Sequence, residues 1–182
     1  DGRLASGLND GTVILFDLAT NQPAQTLKGH TSSVNSVAWS ADGHLASGSN
    51  DGTVILWDLA TGQPAQIMRG HIVTVTSVAW SADGHLASGS HDNTIILWDL
   101  ATGQPAQILK GHTNYISSVA WSADNRLASG SYDDTVILWD LATSQPAQIM
   151  RGHKGSVNSV AWSADGQLAS GSSDDTIILW DL

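Results

Sequence analysis

A repeat with a period of 41 residues constrains this chain more than any other feature. A series of four Gly-His dipeptides and a series of four Trp-Asp dipeptides each advance by 41 residues. Phe16-Asp17 continues the second series towards the amino terminus, so the repeats leave no room for a separate domain. In these two series, the Gly-His pairs begin at residues 29, 70, 111 and 152, and the Trp-Asp pairs begin at residues 57, 98, 139 and 180.

Each period divides into four short segments separated by turn-forming residues, which predicts four β-strands in one antiparallel meander. In the first full period we expect strand a over residues 34–40, strand b over 45–49, strand c over 53–59 and a shorter strand d over about 64–68. A proline opens each strand d, where its missing N–H is tolerated only at a sheet edge, so strand d is predicted to be the outer strand. These prolines are Pro23, Pro64, Pro105 and Pro146.

A four-stranded sheet of this size has two apolar faces and buries both only by stacking against neighbouring sheets. Radial stacking of such sheets gives a β-propeller. The predicted core between sheets combines a tryptophan of strand a with apolar residues of strand c, such as Val54 and Leu56. The strand a tryptophans are Trp39, Trp80, Trp121 and Trp162.

The Gly-His and Trp-Asp pairs about 27 residues apart, the repeated Leu-Ala-Ser-Gly-Ser strand and the Asp-containing turn resemble the WD40 repeat family. The resemblance covers the whole chain and implies an all-β, WD40-type β-propeller with four-stranded antiparallel blades. Residues 29–69, 70–110 and 111–151 would form three complete blades. Two blades would be incomplete, because residues 1–28 supply only strands b, c and d, and residues 152–182 supply only strands a, b and c.

The resemblance also implies a structural hydrogen-bond set within a blade, here called the tetrad. It joins the Trp of strand c, the Ser of strand b, the His of the Gly-His pair and the Asp of the turn between strands b and c. Phe16 stands at the Trp position of the first repeat, and no Gly-His precedes it, so donor and partner are missing together. Matched by position, the tetrads are Trp57, Ser47, His30 and Asp51; Trp98, Ser88, His71 and Asp92; Trp139, Ser129, His112 and Asp133; and Trp180, Ser170, His153 and Asp174.

A Ser, a His and an Asp within reach of one another could instead form a hydrolase triad, in which the His activates the Ser as a nucleophile. An active site needs one such set in a cleft with an oxyanion hole, whereas this set recurs in four repeats. A structural set that holds one loop of each blade in place would, by contrast, recur in every blade. We therefore expect a structural role for the set, no catalytic residues and no enzymatic activity.

Adjacent aspartates, such as Asp133-Asp134, suggest a metal site as a further alternative. Calcium needs about six to eight oxygen ligands, and two carboxylates in one turn supply too few. Four of the seven histidines belong to tetrads, His44 and His85 occupy equivalent positions after a turn, and only His91 is unmatched. We expect no metal and no cofactor.

The charge balance excludes some classes of partner. The net charge is −10, all 17 acidic residues are Asp, and the seven Lys and Arg are spread along the chain, so nucleic-acid binding is not expected. No stretch approaches the roughly 18 apolar residues of a membrane helix, and the first residues do not resemble a signal segment, so no membrane association is expected. The absence of Cys favours a reducing compartment, and we expect a cytoplasmic location.

Comparison of the repeats with one another separates an almost constant scaffold from a few variable positions. These positions follow the Gly-His pair, in the loop between strands d and a, or precede the Asp of the b–c turn. Both connections emerge at the same end of an antiparallel meander, so the variable side chains share one surface, here called the loop face. Its mixture of amphipathic side chains is typical of protein interfaces, and the predicted partner-binding residues are Ile72, Val73, His91, Tyr115, Tyr132 and Lys154.

These patterns predict a non-catalytic protein-interaction or sensing scaffold that binds proteins or peptides through the loop face. The alternative is a structural or engineered propeller, built by duplication, or a fragment of a longer repeat protein, with no specific ligand; loop variation is then drift. WD40 proteins usually close a ring of about seven or eight blades, and five sheets are too few. We therefore expect a homo-oligomer, in which two copies associate head to tail into one ring of about eight to ten blades.

Overall fold

The computed structural model describes residues 2–182, which contain eighteen β-strands in five antiparallel sheets and no helix. This part of the chain therefore offers no helix that could cross a bilayer. Sheet 1 contains β1 (Arg3–Gly7), β2 (Thr12–Asp17) and β3 (Gln22–Lys28); sheet 2 contains β4 (Val34–Trp39), β5 (Leu45–Ser49), β6 (Thr53–Asp58) and β7 (Gln63–Arg69); sheet 3 contains β8 (Val75–Trp80), β9 (Leu86–Ser90), β10 (Thr94–Asp99) and β11 (Gln104–Lys110); sheet 4 contains β12 (Ile116–Trp121), β13 (Leu127–Ser131), β14 (Thr135–Asp140) and β15 (Gln145–Arg151); sheet 5 contains β16 (Val157–Trp162), β17 (Leu168–Ser172) and β18 (Ile177–Trp180).

Strands pair in chain order within every sheet, which confirms the predicted four-stranded antiparallel blades and the outer position of strand d. The prediction that strand d is shorter than the others was wrong, because β7 has seven residues and is the longest strand of sheet 2. A register shift between Leu56 and Trp57 places Pro64 opposite Trp57. The ladder is already interrupted at this bulge, so the proline costs little pairing there and the strand extends on both sides of it.

The first strands of successive sheets lie side by side and form the inner edge of the arc. Contacts run from β4 to β8, from β8 to β12 and from β12 to β16. The backbone N–H of Val78 donates to Ser36 Oγ at 3.1 Å, which joins sheet 3 to sheet 2. The same bond recurs from Val119 to Ser77 at 3.2 Å and from Val160 to Ser118 at 3.3 Å. These repeated bonds fix the register of each sheet on the next.

The hydrophobic core consists of four layers, one between each pair of successive sheets. Val54 is fully buried in the layer between sheets 2 and 3, as predicted. Leu56 and the strand a tryptophans also pack against these layers, as predicted, but they are only partly buried. Trp80 is the last residue of β8 and packs at the rim of its layer, next to the a–b turn, where the layer meets solvent.

The outer face of sheet 5 is apolar and exposed. Ile177 is 76% exposed and Leu179 is 62% exposed, whereas the equivalent Ile95 and Leu97 of sheet 3 are buried beneath sheet 4. Within residues 2–182, extensive strand contacts link each sheet only to the next one along the chain. The five sheets thus form an open arc.

Candidate functional site

All four predicted sets of Trp, Ser, His and Asp come together in the structure. In sheet 2, Trp57 Nε1 donates to Ser47 Oγ at 2.8 Å, this oxygen lies 2.7 Å from His30 Nε2, and His30 Nδ1 lies 3.1 Å from Asp51 Oδ2. The corresponding distances are 2.8, 2.8 and 2.9 Å in sheet 3, 2.9, 2.8 and 2.8 Å in sheet 4, and 2.8, 2.7 and 3.1 Å in sheet 5. Each set ties the loop before strand a to strands b and c of its own sheet.

The hydrogen-bond directions in the tetrad of sheet 2 follow from its chemistry. An indole nitrogen only donates, so Ser47 Oγ accepts from Trp57 and has its own hydrogen left for His30 Nε2. His30 then carries its proton on Nδ1 and donates it to Asp51. Burial lowers the pKa of His30 despite the opposing effect of Asp51, which keeps the imidazole neutral at neutral pH.

Asp51 is the charged member of this tetrad. Burial is the largest single effect on its pKa and raises it, but several hydrogen bonds, the strongest from the Thr53 hydroxyl, together outweigh burial and hold the pKa at about 2. Asp92 in sheet 3 follows the same pattern: burial raises its pKa, and hydrogen bonds from His71 and Thr94 bring it to about 2. In sheet 2, the neutral imidazole of His30 therefore bonds to the ionised carboxylate of Asp51.

The geometry of the tetrads does not suit nucleophilic catalysis. Ser47 is fully buried, and the side chain of His30 is also fully buried. The serine oxygen lies between an indole and an imidazole, so no substrate carbonyl can approach it without unpacking the sheet. The same holds for the other three serines, Ser88, Ser129 and Ser170, of which the last is 2% exposed.

Acidic turns do not converge on a metal position. Asp133 Oδ2 is engaged by His112 and by the backbone N–H of Thr113. Asp134 occupies a left-handed turn position with a φ of 67°. Across residues 2–182, no three His, Cys, Asp or Glu side chains lie close enough to share a metal ion.

The d–a loops and b–c turns lie next to each other at one end of every full sheet. The backbone N–H of Tyr132 in a b–c turn donates to the carbonyl of Tyr115 in a d–a loop at 2.9 Å, and Asn50 donates to Ser33 in the same way in sheet 2. The loop face is thus one surface. Of the predicted partner-binding residues, Ile72 is 85% exposed, Val73 43%, and Tyr115 and Tyr132 44% each; Lys154 is exposed and His91 is partly buried.

Three of these side chains form a row of rings across the seam between sheets 3 and 4. The His91 ring stacks on Tyr115 with centroids 4.3 Å apart and an interplanar angle of 18°. The Tyr132 ring follows, with its centroid 6.1 Å from that of Tyr115 and a tilt of 46°. We call His91, Tyr115 and Tyr132 the aromatic row; Ile72 and Val73 lie in the d–a loop of sheet 3, and Lys154 lies in that of sheet 5.

A cavity of about 450 Å³ also opens on the loop face, beside Ile72. Asn93, Ile108 and Lys110 contribute to its lining and were missed from the sequence. Ile108 is 46% exposed on outer strand β11. An apolar residue at an outward-facing position of an edge strand is the sequence signal that could have identified this part of the cavity.

The pattern of the WD domain, G-beta repeat (WD40) family matches residues 21–58, 62–99, 103–140 and 144–181. Together these matches cover well over half of the chain. The chain belongs to the WD40 repeat family. Each WD40 match begins just before strand d of one sheet and ends with strand c of the next, so every family repeat spans two blades. WD40 proteins are typically non-enzymatic scaffolds, which favours a protein-interaction role for this chain.

A short stretch of this WD40 chain is similar to the Set1 complex component swd1 of Schizosaccharomyces pombe. The two are 46% identical over 39 residues, which is 21% of this chain and 10% of the yeast protein. The chain therefore matches about a tenth of the length of this relative.

Proposed function

We propose that this WD40 chain is a non-catalytic scaffold that binds proteins or peptides through its loop face. The observation that supports the proposal most strongly is the aromatic row, because it places two half-exposed tyrosines and a stacked imidazole at one seam. Tyrosine rings are enriched among the residues that contribute most to binding energy. The repeated Ser and His side chains are buried within the blades, and each tetrad Asp is hydrogen-bonded to its His, so these groups are not available to a partner.

The backbone beneath the aromatic row is well supported, which favours binding at low entropic cost. The backbone N–H of Tyr115 donates to Asn114 Oδ1 at 2.9 Å, and its carbonyl accepts from Tyr132. The Ser131 hydroxyl donates to the carbonyl of Asn114 at 3.1 Å. A partner would therefore meet tyrosines on an ordered loop, and little conformational freedom would be lost on binding.

The Tyr115→Ala/Tyr132→Ala variant tests the proposal. We expect it to lose at least one protein that the unchanged chain captures from a cell lysate, with binding of that protein weakened by about tenfold or more, because the aromatic anchors are removed. Quantitative pull-down followed by titration of the captured protein provides the measurement. An Ile67→Ala/Ile149→Ala variant is the matched control, since these strand d residues are 42% and 44% exposed but lie outside the loop face.

Two outcomes contradict the proposal. If every captured protein binds the double tyrosine variant as tightly as the unchanged chain, the loop face is not the binding surface. If the chain captures nothing specifically, the alternative of a structural propeller without a ligand is favoured instead.

We further propose that two copies associate head to tail through the open faces of the arc, forming a ring of about eight to ten blades. Supporting this, Ile177 and Leu179 are exposed where equivalent residues pack against a following sheet. A Cβ atom at Gly171 would meet no heavy atom within 4 Å, whereas a Cβ atom at the equivalent Gly130 would lie 2.6 Å from Val157 Cγ1. The face of sheet 5 thus has the shape that another blade fills elsewhere.

Sedimentation equilibrium at micromolar concentration tests this association. We expect a dimer for the unchanged chain and a monomer for Leu179→Lys, because a charge would be buried unpaired at the interface. A monomer for the unchanged chain rules the ring out.

A further inference from the structure

Two equivalent grooves open on the face opposite the loop face. This second surface is formed by the a–b and c–d turns and is called the turn face. Groove 1, between sheets 2 and 3, has a volume of about 470 Å³, and groove 2, between sheets 3 and 4, about 460 Å³. Both volumes lie within the range of ligand pockets. The walls of groove 1 include Leu56, Ala65, Trp80 and Leu100, and those of groove 2 include the equivalent Leu97, Ala106, Trp121 and Leu141.

A carboxylate–imidazole pair stands at the rim of each groove. In groove 2, His85 Nδ1 lies 2.8 Å from Asp83 Oδ1, and the imidazole lies over Trp121 with centroids 6.5 Å apart. In groove 1, His44 and Asp42 are 3.0 Å apart, and the imidazole takes the same place over the tryptophan of sheet 3. The side chains of both histidines are 64% exposed. Each groove therefore combines an apolar wall with an exposed acidic group.

The next seam shows how this arrangement receives a cation. Arg126 occupies the position of His44 and His85 between sheets 4 and 5. Its guanidinium carbon lies 4.6 Å from the centre of the Trp162 ring, and its Nε lies 3.0 Å from Asp124 Oδ2. An indole and a carboxylate at this rim thus hold a guanidinium by cation–π attraction and an ion pair. In grooves 1 and 2, His44 and His85 lie beside the equivalent indole and carboxylate in place of the arginine.

The turn face as a whole attracts positive charge. Among the described residues it carries nine aspartates, and only two cationic side chains, Arg3 and Arg126, lie at the same end of the sheets. A hydrogen bond from Ser81 and a second from His85 lower the pKa of Asp83, so this carboxyl is ionised at neutral pH. The nine are Asp17, Asp42, Asp58, Asp83, Asp99, Asp124, Asp140, Asp165 and Asp181.

We infer that the turn face is a second binding surface, for a basic amphipathic peptide segment of a partner protein. An apolar side chain of the segment enters groove 1 or groove 2, and a neighbouring lysine or arginine lies against Asp42 or Asp83 at the rim. The apolar walls give the contact area, and the excess of aspartates favours a basic over an acidic segment. This surface is separate from the aromatic row, so a partner here and a partner on the loop face do not compete.

Capped synthetic peptides provide the first test, by isothermal titration calorimetry against the whole chain. The probe alternates arginine and leucine; one control replaces every leucine with serine, and the other replaces every arginine with glutamate. We expect the arginine–leucine peptide to bind about tenfold or more tightly than either control. No binding of this peptide overturns the inference, as does equally tight binding of the arginine–serine peptide, which would show charge attraction alone.

Filling the grooves provides the second test. Ala65 and Ala106 are exposed on outer strands, so replacement by Phe occupies a groove without disturbing the core. We expect Ala65→Phe/Ala106→Phe to weaken binding of the arginine–leucine peptide by about tenfold or more. Ala147→Phe is the matched control, because it makes the same change at the equivalent exposed position of sheet 4, outside both grooves, and should leave binding unchanged.

Unchanged binding by the double variant, or an equal loss in the control, overturns the inference. We expect the Tyr115→Ala/Tyr132→Ala variant to bind the arginine–leucine peptide as tightly as the unchanged chain does, which would separate this surface from the loop face.

Discussion

Ser129→Ala is expected to lower the free energy of unfolding by about 2–4 kcal/mol. Ser129 is fully buried, and its hydroxyl is the partner of both Trp139 Nε1, at 2.9 Å, and His112 Nε2, at 2.8 Å. The substitution leaves both nitrogens buried without a partner, and each such group costs about 1–3 kcal/mol. Equilibrium urea unfolding, followed by tryptophan fluorescence and by circular dichroism, measures the loss.

Sheet 1 offers a matched control for this serine. Ser6 is the equivalent residue, but Phe16 takes the place of the tryptophan, and no Gly-His histidine is present in this sheet. Because nothing there depends on the hydroxyl in the same way, Ser6→Ala is expected to cost less than about 0.5 kcal/mol. Equal losses in the two variants would show that the tetrad is not what stabilises sheet 4.

Gly89→Val is expected to destabilise the fold by about 1–3 kcal/mol through steric overlap between sheets. A Cβ atom at Gly89 would lie 2.5 Å from Ile116 Cγ2 and 3.0 Å from Val119 Cγ1. Both neighbours are β-branched residues of β12 and cannot rotate away easily. To relieve this overlap, the whole of sheet 4 would have to move away from sheet 3. We therefore expect the urea concentration at the unfolding midpoint to fall.

Gly171→Val is the control for this prediction. Gly171 occupies the equivalent position in strand β17 of sheet 5, which has the same Leu-Ala-Ser-Gly-Ser sequence, but a Cβ atom there would meet no heavy atom within 4 Å. At concentrations where sedimentation shows a monomer, we expect almost no loss of stability from this change. A similar loss in both variants would point to a backbone requirement for glycine rather than to packing between sheets.

The proximity of each tetrad's members was predicted from the resemblance to the WD40 family, whereas the repeat and its turn residues were sufficient to predict the five sheets and the edge position of strand d. These features depend on spacing within one period, which the sequence states directly. The partial burial of Trp80 was not predictable, because it depends on how far one sheet overlaps the next. The length of strand d also escaped prediction, since the bulge at Trp57 lets Pro64 lie inside the strand.

Contacts between sheets explain most of what the sequence left open at the candidate sites. The loop face was predicted as one surface, but the stacking of His91 on Tyr115, which joins residues of two different sheets, was not predicted. Grooves 1 and 2 likewise arise only where one sheet meets the next. The side-chain pattern of a single repeat contains neither the twist nor the spacing that brings such residues together.

Binding of a captured partner, measured by titration under native conditions, tests the division between scaffold and binding surface most directly. The comparison needs Tyr115→Ala/Tyr132→Ala and Ser129→Ala, each at a temperature where circular dichroism shows a folded chain. We predict that the tyrosine variant loses affinity by about tenfold or more with little change in stability, whereas Ser129→Ala binds normally although it unfolds more easily. Loss of binding in folded Ser129→Ala, with full binding by the tyrosine variant, would contradict this division.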